Sequence, residues 1–258
     1  MGQALIQGAR ESGVAGKDIS VSDPSVTARE KCASLFDTNT FSNNEEATKN
    51  ADIVVLSVKP QIIGKALQSV AASGRENLLY ISVAAGVTLE QLNSYSEKNI
   101  AIVRCMPNTP AIIRAGITAL IANQNVTELQ RSDAENLLTA VGKTVWLNKE
   151  SLMDAVTAIS GSGPAYFFML IELLESCAVE LGLSAELAKE LAVQTAYGAC
   201  KLARNASESP GELRENVTSP NGTTEAALRV FAAEEIDRIV KSAVTAARDR
   251  SIELAKGN

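Results

Sequence analysis

The chain has 258 residues, 46% apolar and 21% charged, with a net charge of −6 and no histidine. That length suits one large or two medium domains around a sizeable core. The acidic balance excludes a sequence-independent nucleic-acid binder, which needs a basic face. The missing histidine removes the commonest general acid/base and the commonest metal ligand.

In chain order, Met1 to Glu11 reads as a helix and "DISVSD" (18–23) as a strand ending at Asp23-Pro24. Ser25 to Phe36 follows as a helix. "ADIVVLSV" (51–58) is a continuous apolar run of strand length, as a buried parallel strand requires. Helix Gln61 to Ser73, strand "NLLYISVAA" (77–85) and helix Leu89 to Ser96 come next. Strands "NIAIVRCM" (99–106) and "GITALIAN" (116–123), helix Thr127 to Val141 and strand "KTVWLN" (143–148) complete this half. Such alternation predicts a doubly wound, Rossmann-type α/β domain over 1–150. Such a domain normally opens on a strand and a glycine-rich turn, whereas this chain starts in helical pattern at Met1-Gly2. That strand is expected upstream of residue 1, through trimming or an internal start, or else the domain lacks it.

From 151 to 258 the pattern is all-helical. "SLMDAVTAIS" (151–160) is followed by an expected break at "GSGP" (161–164), and helices fit 165–183, 184–204, 210–216, 223–232 and 234–256. No apolar run approaches the roughly 20 residues that span a bilayer, and "MGQALIQGAR" lacks the pattern of a secretory signal. A cytoplasmic location is expected. Cys32, Cys105, Cys177 and Cys200 form no CxxC pair, so reduced thiols are expected and no metal site.

Candidate chemistry lies at the strand ends, where open α/β sheets bind ligands. Lys59-Pro60 follow one strand, and "VAAGVT" (83–88) puts small residues after another; a surface lysine and a tight turn are the plainer readings. In "RCMPNTPAIIRAG" (104–116), two prolines stiffen a loop offering Asn108 and Thr109. "SGSGPAYFF" (160–168) reads as a kink or as a close approach of backbone to ligand. In "VTSPNGTTEAALRVF" (217–231) a rigid turn opens directly into a helix, whose free N–H groups suit an anion. An ordinary Thr-capped start has the same sequence appearance.

Taken together, "MGQALIQG", "VVLSVKPQ", "ISVAAGVTLE", "RCMPNTPAIIRAG", "AVGKTVW", "DAVTAISGSGPAYFF" and "VTSPNGTTEAAL" resemble the pyrroline-5-carboxylate reductases along essentially the whole chain. The resemblance implies hydride reduction of a cyclic imine to L-proline, the last step of proline biosynthesis. It implies an N-terminal dinucleotide domain and a helical domain that forms a homodimer, with decamers as rings of five. NADPH is the cofactor it implies. By similarity Gly2, Asn44, Val58, Lys59, Pro60, Val83, Ala84, Ala85, Gly86, Asn108 and Thr109 would line it. Ser219, Pro220, Asn221, Gly222 and Thr223 would cradle the substrate carboxylate, and Thr224 would act at the ring nitrogen. Asp23 resembles an acid that bonds a ribose 2′-hydroxyl, which favours NADH; Ser22, Ser25 or Arg29 could instead receive a 2′-phosphate. The alternatives are a β-hydroxyacid dehydrogenase, which usually needs a lysine that "GSGPAYFF" does not supply, and a non-catalytic dinucleotide sensor.

Overall fold

A computed structural model describes residues 1–73, 75, 77–96 and 99–256. Residues 74, 76, 97, 98, 257 and 258, inside the two expected domains, lie outside the described residues. The chain divides into two compact units, Met1–Ser162 with Ala247–Asn258, and Gly163–Ala246.

The first unit holds α1 (Gly2–Glu11), β1 (Ser20–Ser22), α2 (Val26–Phe36), β2 (Asn39–Phe41), α3 (Asn44–Thr48), β3 (Ile53–Leu56) and α4 (Ile63–Ala71). It continues with β4 (Leu79–Ser82), α5 (Leu89–Ser94), β5 (Ala101–Met106), β6 (Gly116–Ala122), α6 (Glu128–Thr139), β7 (Gly142–Trp146) and α7 (Met153–Val156). The strands form two sheets instead of the single expected one: a parallel pair β1-β2, and a five-stranded sheet ordered β3-β4-β5-β6-β7. Among the described residues β3 pairs only with β4, and β1 only with β2. No described strand joins their free edges, so the sheets stay separate. Within the large sheet β3, β4 and β5 are parallel, whereas β6 runs antiparallel to β5.

Alternate residues of the strands feed two cores, as the pleat demands. Tyr80, Ile102, Ala119 and Ile121 pack on one face with Ile63 and Leu67 of α4 and Leu92 of α5. Leu79, Ile81, Val103 and Leu120 pack on the other with Leu5 of α1 and Leu138 of α6. Burial on both faces explains why these strands read as unbroken apolar runs. The elements β2 and α3 carry no usable periodicity and were not expected. α3 exists because the Asn43 side chain accepts from the N–H groups of Glu45 and Glu46.

The expected break at 161–164 takes the form of a π-turn, Thr157–Gly161, which follows α7, and a bend at Ser162, after which α8 (Gly163–Glu180) starts. The Thr157 and Ser160 hydroxyls donate to the carbonyls of Met153 and Val156, supporting the wider turn. Pro164 falls in the first turn of α8, where a missing N–H costs little. The run Glu150–Glu180 is long and apolar enough, by length and composition, to cross a membrane, with 11% of its most apolar window buried. The expectation that no apolar run reaches that length is corrected accordingly.

The second unit continues with α9 (Ala185–Asn205), α10 (Pro210–Asn216), α11 (Thr223–Ala233) and most of α12 (Ile236–Ala255). The end of α12 belongs to the first unit, where the Ser251 hydroxyl donates to Asp154 at 2.7 Å.

Candidate active site

Parallel pairing brings the strand ends together. The register Leu56↔Ser82↔Arg104 aligns β3, β4 and β5. Val58-Lys59-Pro60, the Val83–Gly86 turn and Asn108-Thr109 therefore follow one edge of the large sheet. Likewise the register Ser22↔Phe41 sets Ser22-Asp23 beside the segment that leads to Asn44. Gly2 opens α1, and a Cβ there would lie 3.1 Å from the Ser57 hydroxyl, so the helix start approaches the end of β3 closely. Gly86 has φ +75°, a left-handed conformation that favours glycine, and is buried beside Ala84.

Several of these polar groups are already engaged. The Asp23 carboxylate accepts the Ser25 N–H at 2.8 Å, and the Arg29 guanidinium donates to the carbonyls of Asp23 and Pro24. The Asn108 side-chain oxygen accepts the Ile117 N–H at 3.0 Å, which leaves its amide hydrogens available. Lys59 is exposed, and its ammonium has no hydrogen-bond or ion-pair partner among the described residues. Cys105 lies in β5 close to these turns, but burial pushes its thiol up to about 12, and it donates to the Ser82 carbonyl. At neutral pH that thiol stays protonated and is no nucleophile.

The 217–231 segment forms a turn in which the Gly222 N–H donates to the Ser219 carbonyl at 3.0 Å. Asn221, not Gly222, takes the left-handed conformation, with φ 60°. A Cβ on Gly222 would sit 3.0 Å from the Ser219 carbonyl, so the glycine provides room and not backbone freedom. The Glu225 carboxylate turns back to accept the Asn221 N–H. Pro220 has no N–H. The N–H groups of Thr223 and Thr224, at the start of α11, have no hydrogen-bond acceptor among the described residues.

Side chains close six helix starts: Ser25 on α2, Asn43 on α3, Thr88 on α5, Thr127 on α6, Ser184 on α9 and Ser209 on α10. The starts of α1, α4, α7 and α11 carry no side-chain cap; α4 and α7 continue from the 3-10 turns Pro60–Ile62 and Glu150–Leu152, whereas α1 and α11 do not. Orphan N–H groups aligned with the helix dipole favour an anion at both places. Sequence alone could not separate these from a Thr cap, because "GTT" fits either arrangement. Sequence reading also missed the buried Arg104, whose guanidinium meets Glu150 at 2.6 Å. Its one signal was a charge inside an apolar strand.

A Rossmann-type half with small-residue turns at its strand ends is the architecture of a dinucleotide-binding domain. A family model for NADP oxidoreductase, coenzyme F420-dependent, matches residues 1–86. A model for pyrroline-5-carboxylate reductase dimerisation matches residues 150–254. The pyrroline-5-carboxylate reductase of Pseudomonas aeruginosa is 45% identical, over 99% of this chain and 94% of its own length. A solved reductase of that name from Coxiella burnetii superposes with a TM-score of 0.93 at 36% identity, over 98% of this chain and 94% of its own. The Plasmodium falciparum pyrroline carboxylate reductase, solved with NADP bound, gives 0.88 at 30% identity, over 99% and 94%. The chain belongs to the pyrroline-5-carboxylate reductase family. It is an NAD(P)H-dependent oxidoreductase, and its helical half carries the family's dimerisation region.

Proposed function

We propose that this protein reduces Δ1-pyrroline-5-carboxylate to L-proline with NADPH, the last step of proline biosynthesis, in the cytoplasm. We assign residues 1–150 to the cofactor and 151–258 to substrate binding and dimerisation. The observation that carries the reading is that α1 and α11 start with neither a side-chain cap nor a preceding 3-10 turn, one open start for each anionic ligand. Gly2 at the start of α1 serves the cofactor's phosphates. Asn44, Val58, Lys59, Pro60, Ala84, Ala85, Gly86, Asn108 and Thr109 line the rest of its path, the alanines and glycine admitting a flat ring. The cofactor, when bound, supplies the hydride.

For the substrate, the N–H groups of Thr223 and Thr224 receive the carboxylate, in the turn shaped by Ser219, Pro220, Asn221 and Gly222. The Thr224 hydroxyl orients the ring nitrogen or passes a proton through water. A protonated imine already accepts hydride well, so positioning supplies most of the catalysis, and a chain without histidine suffices. The working unit is a homodimer through the helical half, assembling further into a decamer.

Steady-state oxidation of NADPH by pyrroline-5-carboxylate tests this. Thr224→Ala should lower kcat about a hundredfold while cofactor affinity holds. A folded wild-type protein that oxidises no NADPH with this imine ends the proposal. A second reading, NADH as the preferred donor, is favoured by Asp23. One of its oxygens is fixed by Ser25, which leaves the other for a ribose hydroxyl, while Arg29 is held on backbone carbonyls. The ratio of kcat/KM for the two cofactors decides between them.

A further inference from the structure

Arg104 sits in the middle of the large sheet with its side chain 5% exposed, and a buried guanidinium is costly unless paired. Its partner, Glu150, comes from the segment between β7 and α7. The Glu150 oxygen that takes Arg104 at 2.6 Å also accepts the Leu89 N–H at 2.8 Å. Leu89 is the first residue of α5, directly behind the Val83–Gly86 turn. Arg104 is the register partner of Ser82, directly ahead of that turn, and precedes the Asn108 loop by four residues. One carboxylate oxygen therefore fastens the exit of one cofactor-facing turn to the strand that carries the next. The reciprocal cap of Thr88 and Gln91 takes the N–H groups of those two residues, so the Leu89 N–H depends on Glu150. The energetics argue against a role in stability alone. Well-packed apolar residues in place of a buried ion pair are often neutral or stabilising.

We infer that Glu150, held by Arg104, is a positioning residue for the cofactor: it fixes the Val83–Gly86 turn against the end of β5 so that both turns receive the nicotinamide half together. This rests on the cofactor site proposed above. Glu150 touches neither cofactor nor substrate in this role and acts through the Leu89 N–H.

The test compares wild type, Glu150→Gln, Glu150→Ala and the apolar double variant Arg104→Met/Glu150→Leu, each followed by thermal melting, NADPH titration and steady-state kinetics. The single alanine leaves Arg104 unpaired and is expected to melt early, so the double variant carries the decision. It should melt at or near the wild-type temperature. Its Kd and KM for NADPH should nevertheless rise about tenfold, the size of one lost charge-assisted hydrogen bond, while KM for the imine at saturating NADPH changes little. Glu150→Gln keeps an oxygen for Leu89 and should recover most of the affinity. A stable double variant with wild-type NADPH affinity would overturn the inference and leave the function standing. A wild-type protein that binds no NADPH would overturn both.

Discussion

The two units bury their apolar residues to very different degrees. In the sheet unit both faces are covered, and Ile63, Leu67, Ile81, Leu92, Ile102 and Leu120 are 0% exposed. In the helical unit Phe167, Phe168, Leu173 and Leu174 of α8 are 54%, 63%, 54% and 52% exposed. The only buried side chains of α9 are Ala188 and Ala192, among the described residues. Side chains of that size left in water as a contiguous set mark an association surface. The dimerisation match over 150–254 names what covers it. One region has its core within itself; the other leaves large apolar side chains exposed on the half that matches the family's dimerisation model.

The contrast can be broken most directly at Phe168. Phe168→Glu places a charge on the association face and should weaken self-association about a thousandfold, read by light scattering across a dilution series. An unchanged oligomer would place Phe168 outside the interface. A core change in the sheet unit should act differently. Leu138→Ala, at 0% exposure on the buried face of α6, should cost about 2–5 kcal/mol of unfolding free energy and leave the assembly intact, as urea melts and the same scattering would show. The smallest effect sharpens the comparison further. Leu129 is 72% exposed in α6 of the sheet unit, and Leu129→Glu should change stability by no more than about 0.5 kcal/mol with no change in assembly. An exposed leucine on α6 is an isolated surface residue, whereas an exposed phenylalanine on α8 belongs to a face.

Much of this was legible in the residues. Buried strands announce themselves as apolar runs, so β3, β4, β5 and β6 fall within the expected segments, shortened where the chain turns. Only three residues, Asn39–Phe41, make β2, and Asn44–Thr48 makes α3; segments so short show no period. The interruption at 161–164 was legible in its Gly and Pro, but its form, a π-turn and a bend at Ser162, was not. Here the proline lies within a helix's first turn, and hydroxyls meet the carbonyls that a π-turn loosens.

By itself the sequence determined the class of fold, the change from mixed to helical near residue 150, and the motif set that gives the family. It does so because hydrophobic period and turn chemistry are local properties, written in neighbouring residues. Tertiary structure decided which helix starts are closed and which stay open to an anion. It also brought Glu150 to partners 46 and 61 residues away. Those outcomes depend on where distant segments come to rest, and a hydrogen bond across such a separation leaves no spacing to read.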